Sequence, residues 1–507
     1  MRGGGGGGRI AGSEGRGMLG GVGSSSGGSA DNLHGIEVSG MEERRGSSAR
    51  ADGFSLLAGD EEGERQLVGI GPGSGTGHAR GRSGGSVSVG SSGKGGGAAA
   101  ADPRLHLSSE TRTFVNLLIS FVGAGVLGIP YAYRQGGLLL STAVLSTVGL
   151  LATYCMWMLI RCKYRVVALR GKDEPGPVTY ADICQEALGK WGVVAVESAL
   201  VASQSGFATA YLVFIARNLH ALFEFRKTPV ILLCVPGLAL MCLIKHLKYL
   251  APFSLIAEVV NLTGLAVVFF DDAEFMGINH ESISMAHWKA LPFVFGVGVY
   301  CFEGIGMVMP IEEAMANRER FPPILSLVMI IYTTLCVLSG ALGYMAFGDD
   351  TEDIILLNIG SSVSTLVVKL SFCVGLYFTF PLMMVPVWEV LEFKWLRHVS
   401  PSYGRDRNLL RAAAVAATGI LACIIPNFGL FVSFIGSSCC ALLALILPTL
   451  CYSRLERGAG FPLSQRRKLV NNSILAAGVF AMVSGTLDTL HRIVLEYAKD
   501  DDGDARA

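Results

Sequence analysis

From residue 113 onward the chain alternates long apolar runs with short polar connections. Most runs approach the roughly 20 residues that an α-helix needs to cross a hydrocarbon core. Eleven are predicted as transmembrane helices, near 113–133, 137–160, 192–216, 229–247, 250–270, 290–311, 324–347, 366–389, 409–425, 428–452 and 471–495. The predicted fold class is therefore an all-α integral membrane protein. Ahead of the first run the pattern vanishes. Residues 1–103 are rich in Gly and Ser, open with Gly3 to Gly8, and hold too few large apolar side chains to offset the entropy of ordering. They are predicted to be a disordered tail, followed by a transmembrane domain over 104–497 and a short acidic tail over 498–507. No basic-then-apolar segment with a cleavage site opens the chain, so insertion is expected to use the first transmembrane helix.

Charge sets the expected orientation. Basic residues gather in alternate connections: Arg161, Lys163, Arg165, Arg170 and Lys172, then Lys245 and Lys248, then Lys394, Arg397, Arg405, Arg407 and Arg411, then Arg454, Arg457, Arg466, Arg467 and Lys468. By the positive-inside rule these face the cytosol. The connections between them are acidic, with Asp271, Asp272, Glu274 and Glu281 in one and Asp349, Asp350, Glu352 and Asp353 in another. Those are expected to face a lumen or the exterior, which puts the N-terminus in the cytosol and Asp500 to Asp502 opposite. Arg217, Arg226 and Lys227 depart from the rule. With 51% hydrophobic and 16% charged residues the chain is too apolar for an ordinary soluble domain, so the lipid bilayer is its expected solvent. Its 41 basic and 41 acidic residues cancel, and no global field points to a nucleic acid partner. Cysteines lie mostly inside apolar runs, and Cys439-Cys440 is adjacent rather than spaced as a CxxC, so neither a disulfide framework nor a metal site nor a resident cofactor is predicted.

The first run contains Gly123-Ala124-Gly125-Val126-Leu127-Gly128-Ile129-Pro130, a literal GxGxxG. A dinucleotide loop requires a preceding strand and an acidic residue some 20 positions on, whereas apolar Leu138 to Leu151 follows here. A glycine-rich break at membrane depth explains the stretch better: glycine leaves helical dihedrals cheaply and proline supplies no N–H. The sixth run repeats the device in Phe302-Glu303-Gly304-Ile305-Gly306-Met307-Val308-Met309-Pro310. Interrupted helices at matching places in two halves point to a transporter site between five-plus-five inverted repeats, with the eleventh helix as an addition. Half-helix N-termini present amides to a carboxylate, and half-helix C-termini present carbonyls to an ammonium, so a zwitterionic amino acid suits both. The expected substrate-binding residues are Ser120, Gly123, Ala124, Gly125, Val126, Phe302, Glu303, Gly304 and Gly306, whose modest bulk favours small neutral substrates.

Two carboxylates stand inside apolar runs, Glu258 and Glu303. An embedded acid is a functional candidate by default, so both are proton-coupling candidates, a satisfied structural carboxylate being the other reading. Lys369 is expected to snorkel to the luminal interface, and Ser203-Gln204-Ser205-Gly206 to hydrogen-bond across helices or face the site. In the tail, Asp52 with Leu56 and Leu57 matches the acidic dileucine pattern that a sorting adaptor reads. The sequons at Asn261 and Asn471 are expected to stay unused, one inside a span and one on the cytosolic side.

In order along the chain, Gly123 to Pro130, Ser203 to Phe207, Leu250 to Ser254, Phe302 to Val308, Leu342 to Thr351, Phe378 to Met384 and Pro426 to Phe428 resemble the amino acid/auxin permease family, in the branch of proton-coupled and plant or algal vacuolar neutral amino acid transporters. The resemblance runs over roughly Thr111 to Ile493. It implies a LeuT-type fold with broken first and sixth helices holding the amino acid, and export from an acidic vacuole or lysosome-like lumen. The position of Glu258 is often acidic in this branch, and Glu303 belongs to the shared FEGIG motif. Two features depart from it: the predicted luminal loops lack the cysteines that bridge in animal relatives, and the Gly-rich tail replaces a shorter acidic one. The expectation is thus a non-enzymatic secondary transporter of small neutral amino acids driven by protons. A sodium-coupled carrier using Ser371 and Thr379, an amino acid sensor with little flux, and a plasma membrane address are the alternatives.

Overall fold

The computed structural model describes residues 108–170, 177–243, 263–264, 283–360, 363–392, 403–458 and 464–504. Among these, eight helices are long and apolar enough to cross a membrane, and a pair bent by 44°, Glu110–Phe121 with Ala124–Gly136, makes a ninth. The fourth predicted span is a shorter apolar helix, Lys227–Cys242. The fifth lies outside the described residues apart from Thr263 and Gly264, and so do the N-terminal tail, Asp52, Leu56, Leu57 and Glu258.

Capping and glycine explain where the first span begins and breaks. Ser109 accepts a hydrogen bond from the Arg112 amide and starts the helix. At Gly123 the backbone is extended, and a 3-10 turn over Ala124–Gly128 leads into the helix Ile129–Gly136. Pro130 sits in the first turn of that helix, where a missing N–H costs nothing, so it opens the second half-helix rather than causing the break. Gly137, at φ +84, ends the half-helix in a conformation that glycine adopts without strain. The sixth span, Trp288–Glu313, is interrupted between Leu291–Cys301 and Ile305–Glu313, and Pro310 lies well inside the second piece.

One helix was not among the predicted elements. Tyr180–Leu188 links the second and third spans and opens on a reciprocal capping box between Thr179 and Asp182. Its buried Tyr180 donates to the Leu443 carbonyl at 2.8 Å, fastening the connection to the tenth span. Burial opposes ionisation of Asp182, but bonds from the Thr179 hydroxyl and amide, with the Arg170 guanidinium, outweigh it and hold the carboxyl below its usual range.

At the end of the bundle bearing the basic connections, Lys163 of the second span is buried against the sixth. Its Nζ meets Glu312 at 2.5 Å and Glu313 at 2.9 Å, and the Tyr164 hydroxyl also donates to Glu312. Next to them, Ser108 and Ala314 to Ala316 exchange backbone hydrogen bonds of 2.7 and 3.1 Å, tying the start of the first span to the end of the sixth.

At the other end, the connection between the seventh and eighth spans folds inward as a plug, with Ile354, Ile355 and Leu356 wholly buried. Arg134 donates to the Thr351 carbonyl at 2.9 Å. Arg217 pairs with Asp353, whose other oxygen accepts the Phe428 amide at 2.8 Å. Arg217 departed from the positive-inside pattern, and this pairing supplies the reason. Lys369 does not snorkel outward: it is buried and donates to the Ile359 carbonyl at 3.2 Å. Asn471 is buried too, bonded to the Thr449 carbonyl at 3.1 Å and to Ser453, so its sequon is sterically closed.

Candidate functional site

The two breaks lie against each other. A Cβ on Gly125 would stand 3.0 Å from the Tyr300 ring and 3.2 Å from the Cys301 sulfur, and one on Gly304 would collide with the Phe121 ring. These two glycines are packing positions that let the first and sixth spans cross at close range. Gly123 and Gly306 behave differently: among the described residues a Cβ on either would meet nothing within 4 Å. Both residues are partly exposed, as is Glu303 between the two halves of the sixth span. Open space bordered by backbone is what a small ligand at a double break requires.

The backbone there is only partly satisfied. Gly123 caps the 3-10 turn Ala124–Gly128 and Gly304 the half-helix Ile305–Glu313, and neither has a side chain to cap with. The first bonds inside each turn run from the Val126 amide to the Gly123 carbonyl at 3.2 Å and from the Met307 amide to the Gly304 carbonyl at 3.0 Å. The amides just before these have no acceptor within their own helix and carry its positive dipole end. On the sixth span the Cys301 carbonyl is taken by the Tyr332 hydroxyl at 3.0 Å. The Glu303 carboxylate makes no hydrogen bond or ion pair among the described residues, and it lies within electrostatic reach of Tyr300 and Cys440. Cys440 closes a π-helical turn, Gly436–Cys440, in the tenth span. Such turns recur where a helix bends around a site.

The remaining expected residues are placed as follows. Ala124 and Val126 are buried within the 3-10 turn. Ser120 is exposed and returns its hydroxyl to the Asn116 carbonyl of its own helix at 2.6 Å. Phe302 is fully buried, edge-on to Tyr332 at 5.4 Å and close to Gly149 on the second span. In the third span, Ser203 is buried and bonded to the Leu200 carbonyl at 3.1 Å, while Phe207 stacks edge-on to Tyr300 at 4.7 Å. The aromatic residues packed around the breaks, Phe121, Phe207, Tyr300 and Tyr332, were not among the expected site residues. The only trace they leave in the sequence is aromatic bulk inside apolar runs, which a lipid-facing position shares.

Broken first and sixth spans that meet in this way define a carrier of the LeuT-type fold. A solved structure titled "Inward facing conformation of Mhp1" has the same fold, with a TM-score of 0.53 over 77% of this chain and 92% of that one, at 10% identity. Residues 106–490 match the family described as transmembrane amino acid transporter protein, and the chain belongs to that family. Similar relatives include amino acid transporter AVT3B of Arabidopsis thaliana, 34% identical over 77% of this chain and 95% of the relative, and amino acid transporter ANT1 of the same plant, 34% identical over 76% and 92%. Vacuolar amino acid transporter 3 of Saccharomyces cerevisiae is 30% identical over 76% of this chain and 57% of its own. These are transporters and not enzymes.

Proposed function

We propose that this protein is a proton-coupled carrier of small neutral amino acids that exports them from a vacuole-like lumen to the cytosol by alternating access. The observation that carries the proposal is Glu303: a carboxylate with no hydrogen bond or ion pair among the described residues, beside the open space at Gly123 and Gly306 and two helical starts without a side-chain cap. The substrate carboxylate would meet the amides after Gly123 and Gly304, and the open space at Gly123 and Gly306 limits side-chain size. Glu303 takes up a proton from the acidic side and releases it on the other, with Glu258 as the second candidate for the same task. The vacuolar names of the yeast relatives support the address. The charge of the basic connections supports an orientation with the N-terminus and the Lys163 cluster in the cytosol and the plug toward the lumen.

The purified full chain in liposomes tests this. Radiolabelled glycine, alanine, serine, leucine and glutamate are offered under an imposed pH gradient or an imposed sodium gradient. Accumulation of the small neutral substrates under the pH gradient, lost in Glu303→Gln or on adding a protonophore, is the expected result. Accumulation driven by sodium alone would replace the proton with sodium, and absence of flux under every gradient would remove the carrier reading.

A further inference from the structure

The plug end of the bundle holds a cavity of about 580 Å³, lined by Arg134, Arg217 and Arg492 and by Glu352, Asp353 and Glu496. Its volume falls in the range of small-molecule sites. It is distinct from the breaks: none of its lining residues falls within 123–128 or 302–306, and the plug's Ile355–Leu357 turn packs against the Ala124–Gly128 turn of the first span.

The six charges are three of each sign, and four of them have ion-pair partners. Arg217 is paired with Asp353 and lies 3.6 Å from Glu352. Arg492 is bonded to Asp488 at 2.8 Å and to the Gln135 side chain at 3.1 Å. Two groups of opposite sign are left over. Among the described residues Arg134 has a neutral acceptor, the Thr351 carbonyl, and the face of Tyr131 at 5.8 Å, and no carboxylate partner. Glu496 has no ion-pair or hydrogen-bond partner among the described residues. Both charges act on the Tyr131 phenol, as do Asp353 and Arg492, which places them around one point of the cavity although they come from the first and the eleventh spans.

A ligand of one sign would satisfy one of these groups and repel the other, whereas a zwitterion satisfies both. A guanidinium fork binds a carboxylate with two parallel bonds, and a carboxylate accepts an ammonium. We infer that this cavity is a recruitment site for free α-amino acids, in which Arg134 takes the substrate carboxylate and Glu496 its ammonium before the plug opens. The inference rests on the amino acid reading given above. It adds a second site to the one at the breaks, on the other side of the plug.

Initial rates of L-alanine uptake by the full chain in proteoliposomes, measured over a range of concentrations, test it. Arg134→Gln and Glu496→Gln should each raise the concentration giving half-maximal uptake by about tenfold with little change in maximal rate, the signature of lost binding. Arg134→Lys should recover part of the loss. Propionate and ethylammonium, each carrying one of the two charges, should compete poorly against alanine in the wild type. Unchanged half-saturation in both variants would overturn the inference, and so would a fall in maximal rate alone, which would mark Arg134 as a fastener of the plug. A wild type with no alanine uptake would instead strike the substrate reading, so the two failures are told apart.

Discussion

Lys163→Met is expected to destabilise the protein by about 3–5 kcal/mol, because it strands a buried carboxylate. Glu312 is wholly buried, its partner Lys163 is nearly so, and their 2.5 Å contact joins the second span to the second half of the sixth. After the substitution Glu312 would keep only the Tyr164 hydroxyl, and Glu313 would stand close by with no cation between them. The charge pair is worth less than its loss suggests, since both ions were desolvated to form it. Lys163→Met combined with Glu312→Leu should therefore recover most of the stability. Thermal unfolding of the purified proteins in detergent checks this. Equal losses in the single and double variants would show that the pair does not hold these spans together.

Asp353→Asn should loosen the plug. Asp353 is almost fully buried, and its two oxygens tie the seventh-to-eighth connection to the third span through Arg217 and to the start of the tenth through the Phe428 amide. An amide keeps the shape but gives up the ion pair, and a hydrogen bond to a charged group contributes about 1.5–3 kcal/mol. Local opening should rise by about tenfold or more for a loss at the lower end of that range. The plug's own amides report it directly, since Leu357 and Asn358 bond to the Ile354 and Ile355 carbonyls at 2.9 and 3.0 Å. Their hydrogen exchange should accelerate in the variant while exchange around Lys163 stays unchanged. Unaltered exchange at Leu357 and Asn358 would show that the Asp353 bonds do not hold the plug.

The nine spans that the described residues form were legible in the sequence because each is a long apolar run, and that signal needs no knowledge of neighbours. The two breaks were legible as glycine clusters, but their position was drawn toward the prolines. Extended backbone falls at Gly123, while Pro130 opens a helix where no amide is required. The helix Tyr180–Leu188 carried its own start signal, Thr179 with Asp182 three residues on, yet its nine residues were too short for a search by hydropathy. Partnerships across the bundle left no local mark. Arg217 and Asp353 are 136 positions apart, and each alone reads as a stray loop charge. Lys163 likewise read as one of five basic residues facing the cytosol, whereas the fold buries it against Glu312. Within the site, Gly125 and Gly304 are the same residue type as Gly123 and Gly306. Only the fold shows that the first two touch aromatic rings and the last two border open space.

That distinction gives the most direct test of where the substrate binds. Gly123→Val and Gly306→Val would fill open space without meeting a neighbour at Cβ, and the backbone at Gly123 is extended, a conformation valine adopts readily. Equilibrium binding is measured on purified protein, with the radiolabelled amino acid that the wild type accumulates most strongly. Loss of saturable binding in both variants, with thermal stability retained, is the predicted result. Wild-type affinity in both would contradict a substrate site between the two breaks.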